Sequence, residues 1–430
     1  MTYIKISDKK PKQILLDEEK KNISFIIHGQ GVFIFQNKDN TQDICFQLYN
    51  KDNQNGLKIE FNVDSVIVNK IPSNDPLIDD KNCKGLINKK GSYYWFSLDS
   101  QNQKLQAGIG EPRIENVIYI YQFPNSDKIL WEINKSFLED LIFININDEN
   151  IKPMKLLKDP ITSSLPLIVK NIDELTMTDI ANNSFLPHCH LSVISQQLYD
   201  CISGKQFVLN DNNFPDFSKA IEYSIITPGL WCYERLKEKS TEFNKDDPNI
   251  LETYLRITLN ENNGESPGIP YVMEIWPIGH YSPIHNHGGS SAIIRVLNGK
   301  INVNLYPFLC YDEKNGVKPF KKVQILKDEI TWLSPTINQV HKLHNLDTNN
   351  ETCITIQCYT YEEDDKKHYD YFDYLDNKGN KQNYEPDSDM EFILFKETMK
   401  KEWVNYNNII KSNIIVPKKK WYNIFCNKNE

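Results

Sequence analysis

A mainly β protein in two parts is the fold class this sequence predicts: an N-terminal antiparallel β-sandwich, then a small double-sheet jelly-roll barrel with helices packed before it. Three observations predict it. Apolar and polar residues alternate in short runs over residues 22–150 and again over 254–361. Asn, Asp, Gly, Ser and Pro separate these runs, as expected of antiparallel strands joined by turns. Helical spacing is confined to the stretch between the two β regions and to the C-terminal end.

With 430 residues the chain has the length of about two or three domains. In the first, residues 1–150, the runs SFIIHGQGVFIFQ, CFQLYN, LKIEFNVDSVIV, YYWFSLD and VIYIYQF are the candidate strands. Many short strands with polar turns suggest a sandwich. Trp95, beside Tyr93 and Tyr94, either lines a binding groove or forms an aromatic core strand, and the core is the expectation. No concentrated set of His, Asp and Glu lies in this part, so it receives an architecture but neither activity nor ligand. Pro153, Pro160 and Pro166 punctuate a predicted junction over residues 151–184.

Helices are predicted in LSVISQQLYDCISG and PDFSKAIEYSIITPGLWCYERLKEK. From Tyr254 the strands return as YLRITL, YVMEIW, SAIIRVL, KINVNLY, KVQIL, TWL, QVHKLHN and CITIQCY, with Asn298-Gly299 as a hairpin signal between two of them. A small jelly roll needs about eight such strands. This places the second domain at 185–365. A C-terminal extension, 366–430, contains one helix (MEFILFKETMKKEW); the charge run EEDDKK before it and the Lys-rich tail from Lys418 read as solvated segments.

Charge and cysteine usage exclude several function classes. Lys and Arg number 49 against 58 Asp and Glu, a net charge of -9, so no basic footprint for nucleic acid or an anionic membrane is expected. No apolar run of about 18 residues is present, and MTYIKISDKKPKQ lacks a signal peptide's apolar core, so a cytoplasmic location is expected. The 9 Cys are scattered and form no CxxC pair, which argues against a disulfide framework or a Cys-rich zinc site. Only Arg113, Arg235, Arg256 and Arg295 are Arg, which marks each as a place where a planar guanidinium fork is needed.

The chemistry concentrates in GHYSPIHNHGGSSAIIRVLNG, residues 279–299. His285 and His287 are two apart, so on an extended strand both imidazoles project from one face. His341, on a returning strand, can supply a third. Three neutral imidazoles leave the remaining positions of an ion open to substrate, as in catalytic rather than structural sites. Spacing alone leaves zinc, copper, iron and nickel open. His188-Cys189-His190 is not read as a ligand set, because adjacent strand residues face opposite ways and no partner is near.

This segment resembles the first motif of the cupins, and more narrowly that of the cysteine dioxygenases. Their G-x-x-S-P-I-H-x-H pattern is matched by Gly279, Ser282, Pro283, Ile284, His285 and His287, with Gly299 at the expected distance. His341 and Asn345 match the second cupin motif. The Glu that cupins commonly use as a fourth ligand is replaced by Ala292, which leaves three His as the resemblance implies. Tyr254 and Arg256 match the family's Tyr-x-Arg, whose Arg binds the carboxylate of cysteine, and Tyr359 matches its active-site Tyr. Gln357 stands where the family has His, and Thr355 where it has Ser; an amide can donate a hydrogen bond but cannot shuttle a proton. Ala292 also excludes the thioether cross-link to Tyr359 that a Cys there forms in some members.

The resemblance covers about residues 185–365. It implies a non-heme Fe2+ enzyme that oxidises L-cysteine with O2 to cysteine sulfinate, with His285, His287 and His341 as metal ligands. Tyr359 and Arg256 are then catalytic, and Arg256, Tyr254 and Gln357 contact substrate. Two alternatives stay open: a dioxygenase for another thiol acid such as 3-mercaptopropionate, and a non-catalytic metal-binding cupin fused to a binding module.

Overall fold

The computed structural model describes residues 11–39, 43–78, 93–124, 127–260, 271–309, 318–361 and 372–414. The EEDDKK run and the tail from Lys418 lie outside these residues. The chain is mainly β, with several antiparallel sheets.

In the first half, two six-stranded antiparallel sheets share one core. The strand Ile44–Tyr49 shows why: Ile44, Phe46 and Leu48 are buried while the residues between them are half-exposed, the period-2 signature of a sheet with one covered face. Phe35 of one sheet meets Phe46 and Phe61 of the other edge-on, at ring-centroid distances of 5.4 and 5.3 Å. Tyr94 is 1% and Trp95 0% exposed, so this aromatic run serves the core and lines no groove. Trp95 packs with Val32, Ile34 and Ile161 on the other face of its sheet. Gly108 opposite is obligatory, since a Cβ there would lie 2.0 Å from the indole.

The junction expected over 151–184 is corrected at both ends. Ile151–Leu157 is an internal strand of the first sheet, between Gln13–Leu15 and Gln30–Asn37. Pro153 misled the reading: proline removes a ladder donor, and here it sits at a register shift between Pro153 and Lys155, where a strand tolerates it. Ile168–Lys170 already pairs with Ile330–Leu333 of the second half. The chain therefore crosses between halves over residues 158–167.

All eight strands expected between Tyr254 and Tyr361 form, and they divide between two sheets. Five of them run in the order Ile330–Leu333, Ser291–Asn298, Cys353–Thr360, Tyr271–Trp276, Leu255–Asn260 within an eight-stranded sheet. Lys321–Leu326, Lys300–Leu305 and His341–His344 make a three-stranded one. Trp276 and Val296 of the large sheet meet Ile301, Val303, Leu305 and Ile325 of the small one in a shared core. Asn298-Gly299 is no hairpin, because its flanking strands pair with other partners. It is the corner where the chain leaves one sheet for the other. Gly299 takes φ +68 there, with Thr352 O 2.8 Å from where a Cβ would stand.

Helices Val193–Ile202, Phe217–Ile226 and Trp231–Glu238 lie before these strands in sequence and share an apolar core with the large sheet. The last described residues are not an appended extension. Met390–Glu391 pairs with Leu255–Asn260, and helix Phe392–Ile414 buries Phe395 and Met399 completely in that same core. No described helix is long and apolar enough to cross a membrane.

The two halves are sewn together. Phe308, from a loop of the second half, is 4% exposed inside the core of the first. Glu111 N donates to Pro307 O at 3.0 Å, and Arg113 Nη1 donates to Asn338 Oδ1 at 2.7 Å. Phe308→Ala should therefore cost about 3–5 kcal/mol, the usual range for removing a buried phenyl ring. Urea unfolding followed by tryptophan fluorescence measures this, and a loss under about 1 kcal/mol would mean the ring is not anchored in that core.

Candidate metal centre

His285 and His287 lie on the connection between Tyr271–Trp276 and Ser291–Asn298, and His341 opens the strand His341–His344. His285 and His341 exchange both backbone hydrogen bonds, each N donating to the other's carbonyl at 3.0 Å. This two-bond bridge sets the two side chains side by side. Ser282 reinforces it: its N donates to Leu343 O at 3.0 Å and its Oγ accepts from Leu343 N at 2.9 Å. Asn345, 0% exposed, donates to the carbonyls of Trp276 and Glu351 and accepts from Asn349. The non-ligand members of both motifs thus hold backbone.

The imidazole centroids are 4.9, 4.7 and 4.8 Å apart for the pairs 285/287, 285/341 and 287/341. One nitrogen from each ring lies within 4.8 Å of the other two, the one such group of three or more His, Cys, Asp or Glu among the described residues. His188 instead stacks on Tyr199 at 5.2 Å, away from this group, and Cys189 is exposed.

The tautomers follow from hydrogen bonding. His285 Nδ1 is 3.0 Å from Pro283 O and His341 Nδ1 is 3.1 Å from Asn338 O. Carbonyls only accept, so both Nδ1 atoms carry the proton and both Nε2 atoms keep a lone pair. Burial lowers the His285 pKa to about 4 and that of His341 to about 3, and pushes His287 down as well. The neighbouring imidazoles and Arg256 add to the lowering where they face these rings. All three are therefore neutral near pH 7. His287 Nε2 and His341 Nε2 are 3.2 Å apart. Two nitrogens each roughly 2.1 Å from a shared ion would be separated by about 3.0–3.4 Å. Donor chemistry, protonation and the spacing of this pair fit a divalent metal.

The remaining expected residues line the same pocket as the imidazoles. Tyr359 stacks on His287 at 5.6 Å with an interplanar angle of 16°, and lies in register with Ala292 on the next strand. Ala292 is 0% exposed and shares a small buried apolar cluster with Leu333 and Tyr359. The Tyr359 hydroxyl donates to Gln357 Oε1, and burial holds its pKa well above the usual phenol value. Tyr254 stacks on Trp276 at 4.1 Å.

Arg256 is 3% exposed, and its Nη1 donates to Glu274 Oε1 at 2.7 Å. Its Nε is buried without a hydrogen-bond partner. Glu274, absent from the sequence reading, faces Arg256 across the strand pair and also accepts from Gln357 Nε2. The polar chain is thus Tyr359, Gln357, Glu274, Arg256, with Thr355 Oγ1 accepting from Gln357 at 3.1 Å. Gln357 bridges a phenol to a carboxylate. A signal for Glu274 existed: in YVMEIW an acid stands on the face carrying Val272 and Trp276, in a strand otherwise apolar on both sides.

No family model matches the chain. Its structural neighbours are cupin and double-stranded β-helix proteins at low identity and coverage. One is the Schizosaccharomyces pombe Cnp3 cupin domain: 12% identity over 25% of this chain and 64% of that one, TM-score 0.18. The L-ribose isomerase of Acinetobacter sp. DL28 shows 14% identity over 23% and 53%, TM-score 0.17. An RmlC-like cupin protein of Ralstonia eutropha shows 15% over 38% and 78%, TM-score 0.18. The chain spans less than two thirds of the first two. Overlaps this small carry no weight for function, so the site is read from its own geometry.

Protonation sets the stability of the metal-free protein. Each imidazole is neutral when folded and has an ordinary pKa of 6.5 when unfolded, so the unfolded state binds more protons below that pH. Stability should be complete above pH 6.5 and fall as pH drops towards about 4, by up to about 1.4 kcal/mol per pH unit per imidazole. Urea unfolding with a chelator present, stepped from pH 7 to 4.5, measures the slope. His341→Asn should flatten it, and an unchanged slope would mean that His341 is not buried neutral.

Proposed function

We propose that this chain is an iron(II)-dependent thiol dioxygenase, with L-cysteine as substrate and cysteine sulfinate as product. In this reading the eight- and three-stranded sheets form a cupin jelly-roll barrel, and the two six-stranded sheets a β-sandwich fused to it. The observation that carries the proposal is one buried pocket holding three convergent neutral imidazoles together with a guanidinium, a carboxylate and a phenol. His285, His287 and His341 would hold the ion. A ferrous ion there supplies the redox chemistry that lets dioxygen react with a thiol. The balance closes without a further reductant: RSH and O2 give RSO2H, with both oxygen atoms on sulfur.

The protein's own groups bind and orient. Arg256 offers its unpartnered Nε–H to the substrate carboxylate while Nη1 stays on Glu274. Glu274 already offsets the guanidinium charge, so the Arg256–Glu274 pair adds no net charge of its own, and the charge of a bound divalent ion is what the thiolate and carboxylate of a substrate would balance. The preference for cysteine over 3-mercaptopropionate rests on Tyr254 and Arg256, whose Tyr-x-Arg spacing resembles that of the cysteine-oxidising members. Tyr359 keeps its proton at neutral pH. Rotation about its C–O bond can redirect that proton from Gln357 to a substrate atom. Gln357 cannot pass the proton on to Glu274, since an amide has none to exchange in this role. Trp276, Ile301, Val303 and Leu305 wall the pocket with apolar surface and exclude water.

Metal analysis followed by oxygen uptake and sulfinate assay with cysteine, 3-mercaptopropionate and cysteamine tests the reading. Iron-dependent uptake with cysteine preferred is expected. An iron-loaded protein that oxidises no thiol would leave a non-catalytic metal-binding protein. His341→Ala should lose both metal and activity.

Arg256→Ala alone would strand Glu274 as an unpaired buried charge and confuse binding with folding. The double variant Arg256→Met with Glu274→Gln avoids this. It should raise the cysteine requirement by the equivalent of about 2–5 kcal/mol, roughly 30-fold to several thousand-fold, with metal content unchanged. Glu274→Gln alone, by leaving the Arg256 charge uncompensated, should raise the kcat/KM preference for cysteine over cysteamine, which has no carboxylate, by about tenfold, the equivalent of about 1.4 kcal/mol. An unaltered preference would remove Glu274 from substrate selection.

A further inference from the structure

The turn that precedes His341 is held from outside its own half. Glu111, from the first half, is 1% exposed, and its carboxylate accepts three successive backbone N–H groups: Asn338 at 2.8 Å, Gln339 at 2.6 Å and Val340 at 3.3 Å. Arg113, 4% exposed, donates from Nη1 to Asn338 Oδ1 at 2.7 Å and stacks over Phe320 at 4.9 Å. Asn338 takes φ +66, the left-handed region that an Asn tolerates better than most residues and that these contacts hold in place. Its carbonyl is the group that faces His341 Nδ1.

The same turn reaches the other ligand loop. Gln339 Oε1 accepts from Gly289 N at 3.0 Å, and its Nε2 donates to Ser290 O at 2.9 Å. Ser290 in turn donates from both N and Oγ to His287 O, at 3.0 and 2.8 Å. A carboxylate more than two hundred residues away in sequence is thus connected by hydrogen bonds to the segments bearing two of the three imidazoles. A ring whose Nδ1–H is bound to a carbonyl has its tautomer and orientation set by that carbonyl's position, and displacement of such a partner typically costs 10–100-fold in metal affinity.

We propose that the first half of this chain is a working part of the metal centre, with Glu111 and Arg113 as positioning residues whose grip on the 338–340 turn sets the orientation of His341 and His287. The proposal rests on the three-histidine metal reading above and is independent of the thiol reaction. It gives the first half a role that needs no ligand of its own.

The test uses the full-length protein and Co2+ as probe, with affinity from competition against a chromophoric chelator and ligand geometry from the visible absorption of the bound ion. Glu111→Ala should weaken Co2+ binding by about 10–100-fold and change the absorption spectrum. Glu111→Gln, which keeps one accepting oxygen, should restore part of the affinity. Val66→Ala, in the core of the first half but remote from the turn, controls for general destabilisation and should bind Co2+ as the parent does. Should Glu111→Ala fail to fold, Arg113→Lys provides the same readout, since it keeps a cation beside Glu111 and removes the guanidinium contact to Asn338. If the parent binds Co2+ and the folded variants match it in affinity and spectrum, the positioning role is overturned. If the parent itself binds no Co2+, the metal reading fails and takes this proposal with it.

Discussion

Two backbone hydrogen bonds between His285 and His341 are the constraint from which the rest of this site follows. They join segments distant in sequence at the residues that carry imidazoles, so the relative placement of two of the three rings is a property of the main chain. The third ring, two residues along, completes the triangle. Once the rings are enclosed, desolvation keeps them uncharged, and the carbonyls of Pro283 and Asn338 decide which nitrogen is free. For His285 and His341, placement and tautomer thus come from one local arrangement of backbone.

Charge in the pocket is handled by pairing. Arg256 and Glu274 are both nearly inaccessible to water and neutralise each other, and Glu274 is further tied through Gln357 to Tyr359. Breaking a buried pair costs far more than its presence contributes. The pair is therefore best understood as fixing where each group points. Gln357 fits this view: the amide holds the phenol and the carboxylate apart at set positions and carries no proton between them.

Three of the four arginines use the guanidinium as a fork, as expected, while Arg256 makes one hydrogen bond and keeps its Nε unpartnered. Arg113 spans Glu111, Glu115 and Asn338; Arg235 spans Glu238 and Asp389. Arg256 grips Glu274, and Arg295 donates to the carbonyls of Ile202 and Gly204 and to Asp328. Arg113 shows what scarcity alone does not reveal. Its rarity is visible in the sequence, but its partner Asn338 belongs to the other half of the chain.

What the amino-acid sequence determined by itself was whatever repeats locally or is spelled by adjacent letters. Alternation marked the eight strands between Tyr254 and Tyr361, and the spacing of His285 and His287 together with His341 named the imidazole triangle. Tertiary structure decided what depends on register and on which sheets face each other. Pro153 sits inside a strand because a bulge accommodates it, and Asn298-Gly299 turns between sheets instead of closing a hairpin. Glu274 meets Arg256 only through strand pairing, and Glu111 meets the turn before His341 only because the two halves dock. Local pattern constrains one segment at a time, whereas a buried polar partner is chosen by the whole fold, wherever an otherwise unsatisfied group can be paired.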